Sequence, residues 1–381
     1  MDDDLLEELF DGAANCYAGC YRLMSSGAKP GTNAELMKGQ PHHLPFRNFV
    51  HLTRDEAYDL MRRMLSGEMS TEDIAGTLHF LRRKGETLAE LVGFASAIRD
   101  MSQRVELRPF EEPLVDTCGT GGDHTGTFNV STATALVAAG TGLRVAKHGN
   151  RRISSICGSA DVLEALGIRV DLPANQVAHC IEEIGVGFLY APLLHPAVKH
   201  AHEARLQLKG RTVFNMLGPL TNPVGARIQL MGAFSVRAAE MLAQAAARLG
   251  IDRAFVVHGG DGLDEITTTA HTTVYMVEDG RVQKGRWTPS DFGLQPAALD
   301  DLKGGDAETN ANIVHSILNG DPGPCRDIVL ANAAAVIFLS QRATDLKSAF
   351  AMASEAIDSG AARQKLEALV EYSRNVAHEA V

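Results

Sequence analysis

A glycine-rich run, GTGGD at 119–123, is the first stretch of this chain whose residue types could do chemistry. Glycines reach positive φ at little cost and let backbone N–H groups approach a ligand closely. Two hydroxyls follow at Ser131 and Thr132, directly before the helix-like run ATALVAAG, where an N-cap is expected. A glycine loop, hydroxyls and a helix N-terminus in series predict a site for a multiply charged phosphate ligand.

Further donors extend this pattern on both sides. Asn129 precedes the two hydroxyls, and Lys147, His148 and Asn150 follow a second strand-like run, with serines at 154, 155 and 159 behind them. A TGG turn alone is frequent in purely structural connections, and a hydroxyl-rich loop can consist only of helix caps. Ser131 can serve both as a cap and as a ligand, so the two interpretations stay open.

Adjacent carboxylates at Asp264 and Glu265 form a second candidate site, in GDGLDEI directly after the strand-like run AFVVHGG. Two neighbouring carboxylates repel each other unless a cation lies between them. Mg²⁺ suits such a place because it binds a few carboxylates together with water and phosphate oxygens. Loops at strand ends often carry function. The pattern predicts a magnesium site, with a solvated surface pair as the structural alternative.

A polar track at 193–222 is the third candidate. Its charged residues His195, Lys199, Arg205 and Arg211 cannot all lie in a core. The guanidinium of Arg205 is a candidate partner for a substrate carboxylate, which it can bind through two hydrogen bonds. Taken alone, the run is more typical of a solvated helix face.

Composition limits the class of protein. With 381 residues, of which 45% are hydrophobic, the chain is long enough for two domains. Its net charge of −11 argues against non-specific nucleic-acid binding, and no run approaches the ~20 apolar residues of a membrane helix. The six cysteines show no disulfide spacing and the N-terminus is acidic, which predicts the cytoplasm. Cys16, Cys20, His42 and His43 match no zinc pattern.

The elements that must position these residues fall into two groups. A helical period over 53–101, with capping boxes at Thr53 and Thr87, predicts a small all-α unit. After Pro113, short apolar runs alternate with helical stretches, which predicts an α/β fold with a mainly parallel sheet and ligands at the carboxyl ends of its strands. The predicted strands are 114–118, 143–146, 188–191, 228–233 and 254–258, the predicted helices are 133–139, 160–166, 174–184 and 238–249, and a hairpin near Asp279 and a helical tail from Asp327 finish the chain.

The expected domain organisation follows from these patterns. An N-terminal extension occupies 1–45, and a small helical domain occupies 46–108 and is completed by helices from about 192–212. A large α/β domain occupies 113–381. The stretch at 105–113 has no helical period and contains two prolines, so it is a candidate hinge.

Seven ordered motifs resemble those of anthranilate phosphoribosyltransferases, which have a nucleoside phosphorylase-like fold. They are GTGGD at 119–123, FNVST at 128–132, KHGNR at 147–151, GSADVLEALG at 158–167, HPA at 195–197, RTVFNMLGPLTNP at 211–223 and GLDE at 262–265. The resemblance runs from Leu52 to the C-terminus. It implies a helical domain hinged to an α/β domain, a homodimer, Mg²⁺ as cofactor, and transfer of the ribosyl group of phosphoribosyl pyrophosphate (PRPP) to the amine of anthranilate in tryptophan biosynthesis.

The resemblance also implies roles for individual residues. Those placed around PRPP are Gly119, Gly122, Asp123, Thr127, Asn129, Thr132, Lys147 and Ser159, and neighbouring substrate-binding positions of the same motifs are Val130, Ser131, Gly149, Arg151, Ser154 and Ser155. Ser131, Asp264 and Glu265 would hold magnesium. The residues along the path of the aromatic acid would be Asn150, His195 and Arg205, with His148 and Pro219 nearby. Arg205 would pair the carboxylate, and Arg205, Asn150 and His148 are the implied catalytic residues.

The chain departs from the family pattern in the segment 152–157 and at His124. Members usually carry a small residue where this chain has Arg152, often a basic one at Ile156, a serine at Cys157 and often a glycine at His124. The contacts with pyrophosphate are therefore expected to differ in detail.

Two rival functions share this fold. A pyrimidine nucleoside phosphorylase would use inorganic phosphate without a metal, which the DE pair and the FNVST hydroxyls disfavour. A non-catalytic nucleic-acid-binding paralogue is disfavoured by the negative net charge and by the complete set of phosphate and metal residues.

Overall fold

The computed structural model describes residues 51–110, 113–123, 125–151 and 156–379, with side chains described up to residue 375. The expected N-terminal extension at 1–45 lies outside these residues, as do 46–50 of the expected helical domain. Four residues named above are also outside the description: His124, Arg152, Ser154 and Ser155.

Three helices begin the described chain: Arg54–Leu65 (α1), Thr71–Lys84 (α2) and Leu88–Asp100 (α3). The hydroxyls of Thr53 and Thr87 accept hydrogen bonds from the N–H groups of Glu56 and Glu90, and both glutamates accept the N–H of the capping threonine. The predicted capping boxes are therefore confirmed. They start two helices whose apolar faces pack together in one core.

A buried ion pair joins the end of α2 to the start of α3. Lys84 Nζ lies 2.6 Å from Glu90 Oε2, and the two side chains are 1% and 0% exposed. Glu90 also accepts the backbone N–H groups of Leu52 and Thr87, so both of its oxygens have donors. Because both charges are out of water, each depends on the other for its stabilisation.

We expect Glu90→Gln to lower the free energy of unfolding by about 3–5 kcal/mol, because it leaves the ammonium of Lys84 buried without its counter-charge. Thermal unfolding followed by circular dichroism measures this. The matched control is Glu68→Gln, which removes an exposed partner 3.9 Å from Arg63 and should change stability by less than about 0.5 kcal/mol. Equal melting temperatures for the two variants would contradict the role of the buried pair.

A seven-stranded sheet follows, in the strand order β3-β2-β1-β4-β5-β6-β7. Its strands are Leu114–Asp116 (β1), Arg144–Gly149 (β2), Val186–Tyr190 (β3), Ile228–Gly232 (β4), Arg253–Gly259 (β5), Thr272–Glu278 (β6) and Arg281–Trp287 (β7). Strands β1 to β5 pair in parallel, and β6 and β7 add antiparallel. The hairpin predicted near Asp279 joins β6 to β7, with positive φ at Asp279 and Gly280. The carboxyl ends of the parallel strands share one edge of the sheet, where the candidate loops begin.

The remaining helices connect and cover these strands. They are Val130–Gly140 (α4), Ser159–Ala165 (α5), Ala174–His179 (α6), Ala191–Leu194 (α7), His202–Gln207 (α8), Val213–Leu220 (α9), Val236–Arg248 (α10), Ala307–Leu318 (α11), Pro324–Leu339 (α12), Leu346–Asp358 (α13) and Ala361–Glu379 (α14). One π-helical turn, Cys180–Ile184, continues α6, and 3₁₀ turns lie at Pro196–Ala201, Pro289–Phe292 and Leu299–Leu302. None of the helices in the described ranges has the length and apolar character needed to cross a membrane.

Each face of the sheet has its own apolar core. On β5, Val257 belongs to the core that α4, α12 and α13 build. Its neighbour Val256 belongs to the other core, which contains the apolar faces of α1 to α3 together with α9 and α10. The N-terminal helices thus share one core with one face of the sheet. Buried residues of the predicted polar track belong to the same core, which holds the track against the sheet.

The predicted fold class is confirmed: a helical N-terminal domain precedes a large α/β domain with a mostly parallel sheet. Two local predictions differ from the structure. Helix α4 begins at Val130, so its N-cap is Asn129 and not Ser131 or Thr132. Helix α11 was not predicted, because a polar residue, Asn310, lies in the middle of its buried face and interrupts the apolar period.

Candidate functional site

The glycine loop leaves β1 and turns under a carboxylate. Gly121 and Gly122 have φ values of 61° and 75°, which favour glycine. The N–H of Gly121 donates to Asp264 Oδ2 at 2.8 Å. The predicted phosphate loop and the predicted metal loop, 143 residues apart in sequence, are therefore in direct contact.

Two glycines allow this contact because no side chain would fit. A Cβ at Gly119 would lie 2.8 Å from Asp264 Oδ2, and a Cβ at Gly232 would lie 1.6 Å from the backbone oxygen of Asp264. Gly232 ends β4 and accepts the N–H of Thr120. The sequence analysis missed Gly232, since a lone glycine at a strand end carries no local signal for close approach.

Glu265 is placed at the start of α4. The N–H of Ser131 donates to Glu265 Oε1 at 3.1 Å, while the side chain of the N-cap residue Asn129 makes no capping bond. The prediction that Ser131 caps this helix was therefore wrong: a carboxylate from a distant loop accepts the free N–H instead. The helix N-terminus favours negative charge at this point.

Lys147 lies between these groups and is 3% exposed. Its ammonium donates to the carbonyl of Thr117 at 3.1 Å and to the Ser131 hydroxyl at 3.2 Å. Its charge lowers the pKa values of Asp264 and Glu265, opposing the effect of burial. The structure thus brings the predicted cation, hydroxyl and acid pair together.

Lys147 compensates the charge of the acid pair only in part. Burial, and next the charge of Asp123, raise the pKa of Asp264 to about 7. Burial and the neighbouring Asp264 raise the pKa of Glu265 well above its ordinary value. No group of three or more His, Cys, Asp or Glu side chains suited to a metal exists among the described residues. Two carboxylates and the Ser131 hydroxyl fit Mg²⁺, which shares its coordination with water and phosphate oxygens.

These pKa shifts have a consequence for stability. The folded pKa values of Asp116, about 6, and Asp264, about 7, lie above the ordinary aspartate value. Their contribution to stability is present at low pH and is lost as pH rises through 6 to 7. The pKa values of His148 and His195 are lowered to about 4 and about 3, so these two groups make stability rise with pH, but only below pH 6.5.

We therefore expect the melting temperature of the metal-free protein to fall between pH 6.5 and pH 8, because the buried carboxylates must ionise there. Mg²⁺ together with pyrophosphate should reduce this fall, since a bound cation favours the ionised form. Differential scanning calorimetry in a pH series measures both curves. A melting temperature that rises from pH 6.5 to 8 would contradict the assigned shifts.

The segment after β2 meets the start of α5. A Cβ at Gly149 would lie 2.7 Å from the ring of Phe188 and 3.0 Å from Ser159 Cβ, so only glycine fits. The backbone oxygen of Asn150 accepts the N–H of Ala160, and its side-chain oxygen accepts the N–H of Arg151. These contacts join the KHGN and GSAD motifs as one surface.

Arg151 is engaged by protein groups. Its guanidinium donates to Tyr190 Oη at 3.0 Å and pairs with Glu164 and Asp161. Its backbone N–H donates to Asn150 Oδ1. Arg151, a predicted substrate-binding residue, therefore hydrogen-bonds to other protein groups through both its backbone N–H and its side chain.

Two buried histidines are in contact: His148 near the carboxyl end of β2, and His195 directly after α7. His148 Nδ1 lies 3.1 Å from the carbonyl of Gly218, and its Nε2 lies 3.2 Å from His195 Nε2. Burial lowers the pKa of His148 to about 4, so the ring is neutral at physiological pH. Gly218 precedes Pro219 in α9, and the structure therefore brings His148, His195 and Pro219 together as predicted.

Arg205 is a desolvated cation in α8. Its guanidinium carbon lies 4.9 Å from the centre of the Phe214 ring. Burial lowers the pKa of Arg205 to about 10. Among the described residues no carboxylate pairs with it. A guanidinium stacked on an aromatic ring keeps its in-plane donors free for an external carboxylate.

The remaining predicted residues lie in the loop between β1 and α4 and in the first turn of α4. Thr127 forms an isolated antiparallel bridge with Lys303, and the Thr125 hydroxyl donates to Asp123. Thr132 Oγ1 is buried without a hydrogen-bond partner among the described residues. Val130 is buried in the core, so only its backbone can contact a substrate.

Three buried asparagines hold the site from distant parts of the chain, and the sequence analysis missed them. Asn332 in α12 accepts the N–H of Ile266 and donates to its carbonyl, next to Glu265. Asn310 donates to Asn129 Oδ1 at 2.9 Å. Asn222 donates to Asp116 and to the carbonyl of Ala146. Of the three, only Asn222 lies in one of the motifs found in the sequence, RTVFNMLGPLTNP at 211–223.

Of the departures from the family pattern that the structure describes, Cys157 contacts Asn129. The carbonyl of Cys157 accepts the Asn129 Nδ2 hydrogen bond at 3.2 Å, and Cys157 itself is buried. Ile156 is 60% exposed. Family members often carry a basic residue where this chain has Ile156 and a serine where it has Cys157. At these two positions an anion can therefore bind little more than backbone groups.

Comparisons with known proteins agree with this geometry. Residues 111–363 match the model of the glycosyl transferase family α/β domain, and residues 46–102 match that of the glycosyl transferase family helical bundle domain. A relative from Solibacter usitatus, an anthranilate phosphoribosyltransferase, is 52% identical over 87% of this chain and 98% of its own.

Solved structures give the same result. Anthranilate phosphoribosyltransferase from Thermus thermophilus has a TM-score of 0.80 at 42% identity, covering 86% of this chain and 97% of its own. The Saccharomyces cerevisiae enzyme in complex with PRPP and Mg has a TM-score of 0.78 at 30% identity, with 85% and 94% covered.

Proposed function

The chain belongs to the anthranilate phosphoribosyltransferase family, and we propose that three of its segments each carry out one part of that family's reaction. The chain catalyses transfer of the 5-phosphoribosyl group from PRPP to the amino group of anthranilate, with release of pyrophosphate, a step of tryptophan biosynthesis. Mg²⁺ is the cofactor. The observation that carries the division is the contact of Asp264 with Gly121, which joins an acid pair to a phosphate loop.

The first loop binds PRPP. Its N–H groups, the start of α4 and the buried ammonium of Lys147 favour a multiply charged anion. The unpartnered hydroxyl of Thr132 supplies one more donor. The proposed PRPP residues are Gly119, Gly122, Asp123, Thr127, Asn129, Val130, Ser131, Thr132, Lys147, His148, Gly149, Asn150, Arg151 and Ser159, together with Ser154 and Ser155 outside the described residues.

The second loop holds the metal. Asp264 and Glu265, with the Ser131 hydroxyl, are the proposed Mg²⁺ ligands, and their raised pKa values support a cation at this place. When bound, Mg²⁺ neutralises charge on the pyrophosphate leaving group. The carboxylates now accept the N–H groups of Gly121 and Ser131, so binding the metal would free these donors for phosphate oxygens.

The third segment, the polar track at 193–222, orients the acceptor together with Asn150. Arg205 pairs the carboxylate of anthranilate, and Asn150 lies on the path of its amine. His148, His195 and Pro219 line this path. Because His148 is neutral and its ring nitrogens face the Gly218 carbonyl and His195, it positions the acceptor and does not take up a further proton.

The chemical step needs little covalent help from the protein. The amine nitrogen of anthranilate forms a bond to the anomeric carbon of PRPP, and the electron pair of the carbon–oxygen bond leaves with pyrophosphate. The nitrogen then loses one proton to solvent. The chain contributes by holding both substrates in line and by stabilising the departing charge with the loop N–H groups and Lys147.

We infer a helical domain at 46–108 and an α/β domain at 113–381, with closure between them excluding water that would hydrolyse PRPP. The separate family matches at 46–102 and 111–363 support the division. Arg99 of α3 donates to the carbonyls of Leu220 and Leu249, at the ends of α9 and α10, and so offers a fixed pivot.

The assembly and location are also proposals. We infer a homodimer from the family resemblance, and light scattering after gel filtration tests it. The net charge of −11 supports the absence of a nucleic-acid partner, which a salt-dependent gel shift tests. Cys118, Cys180 and Cys325 are free thiols, which supports a reducing cytoplasm.

A magnesium omission assay tests the function against its closest rival. Pyrophosphate release from PRPP and anthranilate is expected to stop without Mg²⁺. Phosphorolysis of a pyrimidine nucleoside, independent of metal, is the result that a nucleoside phosphorylase would give and that would refute the function.

A further inference from the structure

We propose that Arg211 binds the pyrophosphate group of PRPP, as a second cation opposite Lys147. This inference rests on the proposed function of the glycine loop and adds a residue to it. Arg211 lies between α8 and α9, after a turn with positive φ at Lys209 and Gly210. The turn reverses the chain and directs it toward the loop.

The side chain of Arg211 lies against the glycine loop. A Cβ at Gly122 would be 3.5 Å from Arg211 Nε and 3.6 to 3.7 Å from its Cγ and Cδ. These are ordinary van der Waals distances, so the stem of Arg211 packs directly beside Gly122. Glycine is favoured at position 122 by its positive φ.

An aromatic ring fixes the plane of the guanidinium. Arg211 Cζ lies 4.5 Å from the centre of the Phe234 ring. Phe234 is itself tied to the loop, because its N–H donates to Thr120 Oγ1 at 3.1 Å. Ring, loop and arginine therefore form one assembly, with the guanidinium held by its face and not by its donors.

The donors of Arg211 are left for a ligand. Within the described parts of the chain, no carboxylate or carbonyl accepts a hydrogen bond from this guanidinium. Other arginines here have acceptors: Arg151 pairs with Glu164, and Arg99 donates to two carbonyls. A guanidinium has five N–H donors, and its fork matches two oxygens of a phosphate.

The charge balance at the loop also favours a second cation. Three carboxylates, Asp123, Asp264 and Glu265, act on one another near the loop. Lys147 balances them from the side of Thr117 and Ser131, where its ammonium is bonded. Arg211 lies on the side of Gly122, where the predicted PRPP residues contain no cation.

The position favours pyrophosphate over the ribose 5-phosphate. Gly122 follows Gly121, whose N–H meets Asp264 Oδ2, a proposed Mg²⁺ ligand. The metal acts on the pyrophosphate, so the anion beside Gly122 belongs to that group. Arg205 and Arg211 are six residues apart, and the segment would thus hold one cation for each substrate.

The test compares Arg211→Ala and Arg211→Lys with the wild type and with Arg227→Ala. Arg227 is exposed, pairs with Asp252, and precedes β4 at the opposite end of that strand from Gly232, so it serves as the control. Isothermal titration calorimetry measures binding of magnesium pyrophosphate and of ribose 5-phosphate. Steady-state kinetics give the KM values for PRPP and anthranilate.

We expect Arg211→Ala to weaken pyrophosphate binding and to raise the KM for PRPP by about 10- to 100-fold. Binding of ribose 5-phosphate and the KM for anthranilate should change by less than about threefold, since a lost point contact acts locally. Arg211→Lys should recover part of the loss, because it restores the charge without the fork.

Three results would overturn the proposal: unchanged pyrophosphate affinity, an equal loss for ribose 5-phosphate, or a parallel loss for both substrates with a lower melting temperature. The binding measurement needs no turnover. If the wild type fails to consume anthranilate, the proposed function fails, while the pyrophosphate comparison still decides the role of Arg211.

Discussion

Replacing Arg205 with alanine is expected to raise the KM for anthranilate by about 10- to 100-fold, because the carboxylate loses a charge-assisted partner in a desolvated place. The KM for PRPP should stay within about threefold, since the glycine loop is not altered. Arg205 carries this effect because partial burial lowers its pKa to about 10 and because, among the described residues, its recorded partner is the Phe214 ring. Steady-state kinetics with each substrate varied in turn measure the two constants.

Arg205→Lys is the matched variant, and its KM for anthranilate should remain well above that of the wild type. The ammonium keeps the charge, but it cannot offer the planar fork or stack on Phe214 in the same way. Equal increases in both KM values for Arg205→Ala would count against a role in acceptor binding and would indicate a general loss of structure.

The second large effect is expected for Asp264→Asn. Removing one carboxylate should lower magnesium-dependent turnover by about 100-fold or more, since metal-assisted charge stabilisation contributes several kcal/mol. It should also raise the Mg²⁺ concentration needed for half-maximal rate. Mn²⁺ binding followed by electron paramagnetic resonance gives a readout that does not depend on turnover. An unchanged metal dependence would refute the role of Asp264.

The same substitution should stabilise the metal-free protein at pH 8. The raised folded pKa of Asp264, about 7, means that its stabilising contribution is present at low pH and is lost as the group ionises. Asparagine stays neutral at all these pH values. A higher melting temperature with lower activity would show that this carboxylate is retained for the cation and not for stability.

Local patterns in the sequence predicted the parts of the fold that have local causes. The capping boxes at Thr53 and Thr87 start helices, and the alternation after Pro113 gives the parallel sheet. The same reasoning found the glycine loop and the acid pair, because each is a run of neighbouring residues. The motif resemblance added Arg205, whose run alone was more typical of a solvated face.

The missed residues act over long distances in the chain. Asn332 fixes the backbone of Ile266 from 66 residues away, and Asn310 orients Asn129 from 181 residues away. Gly232 is required only because Asp264 passes over it. A helix N-cap was misplaced for the same reason: Glu265, and not a neighbouring hydroxyl, accepts the free N–H at Ser131. A spacing rule that is applied within one segment of the sequence cannot predict contacts between residues so far apart.

Loss of anthranilate fluorescence in the presence of PRPP and Mg²⁺ tests the central claim most directly. The account predicts a loss that requires all three components and releases one pyrophosphate per anthranilate consumed. Substituted benzoates that keep the carboxylate should compete, since Arg205 binds that group. Persistent fluorescence with PRPP and Mg²⁺ both present, or consumption of anthranilate without the metal, would contradict the account.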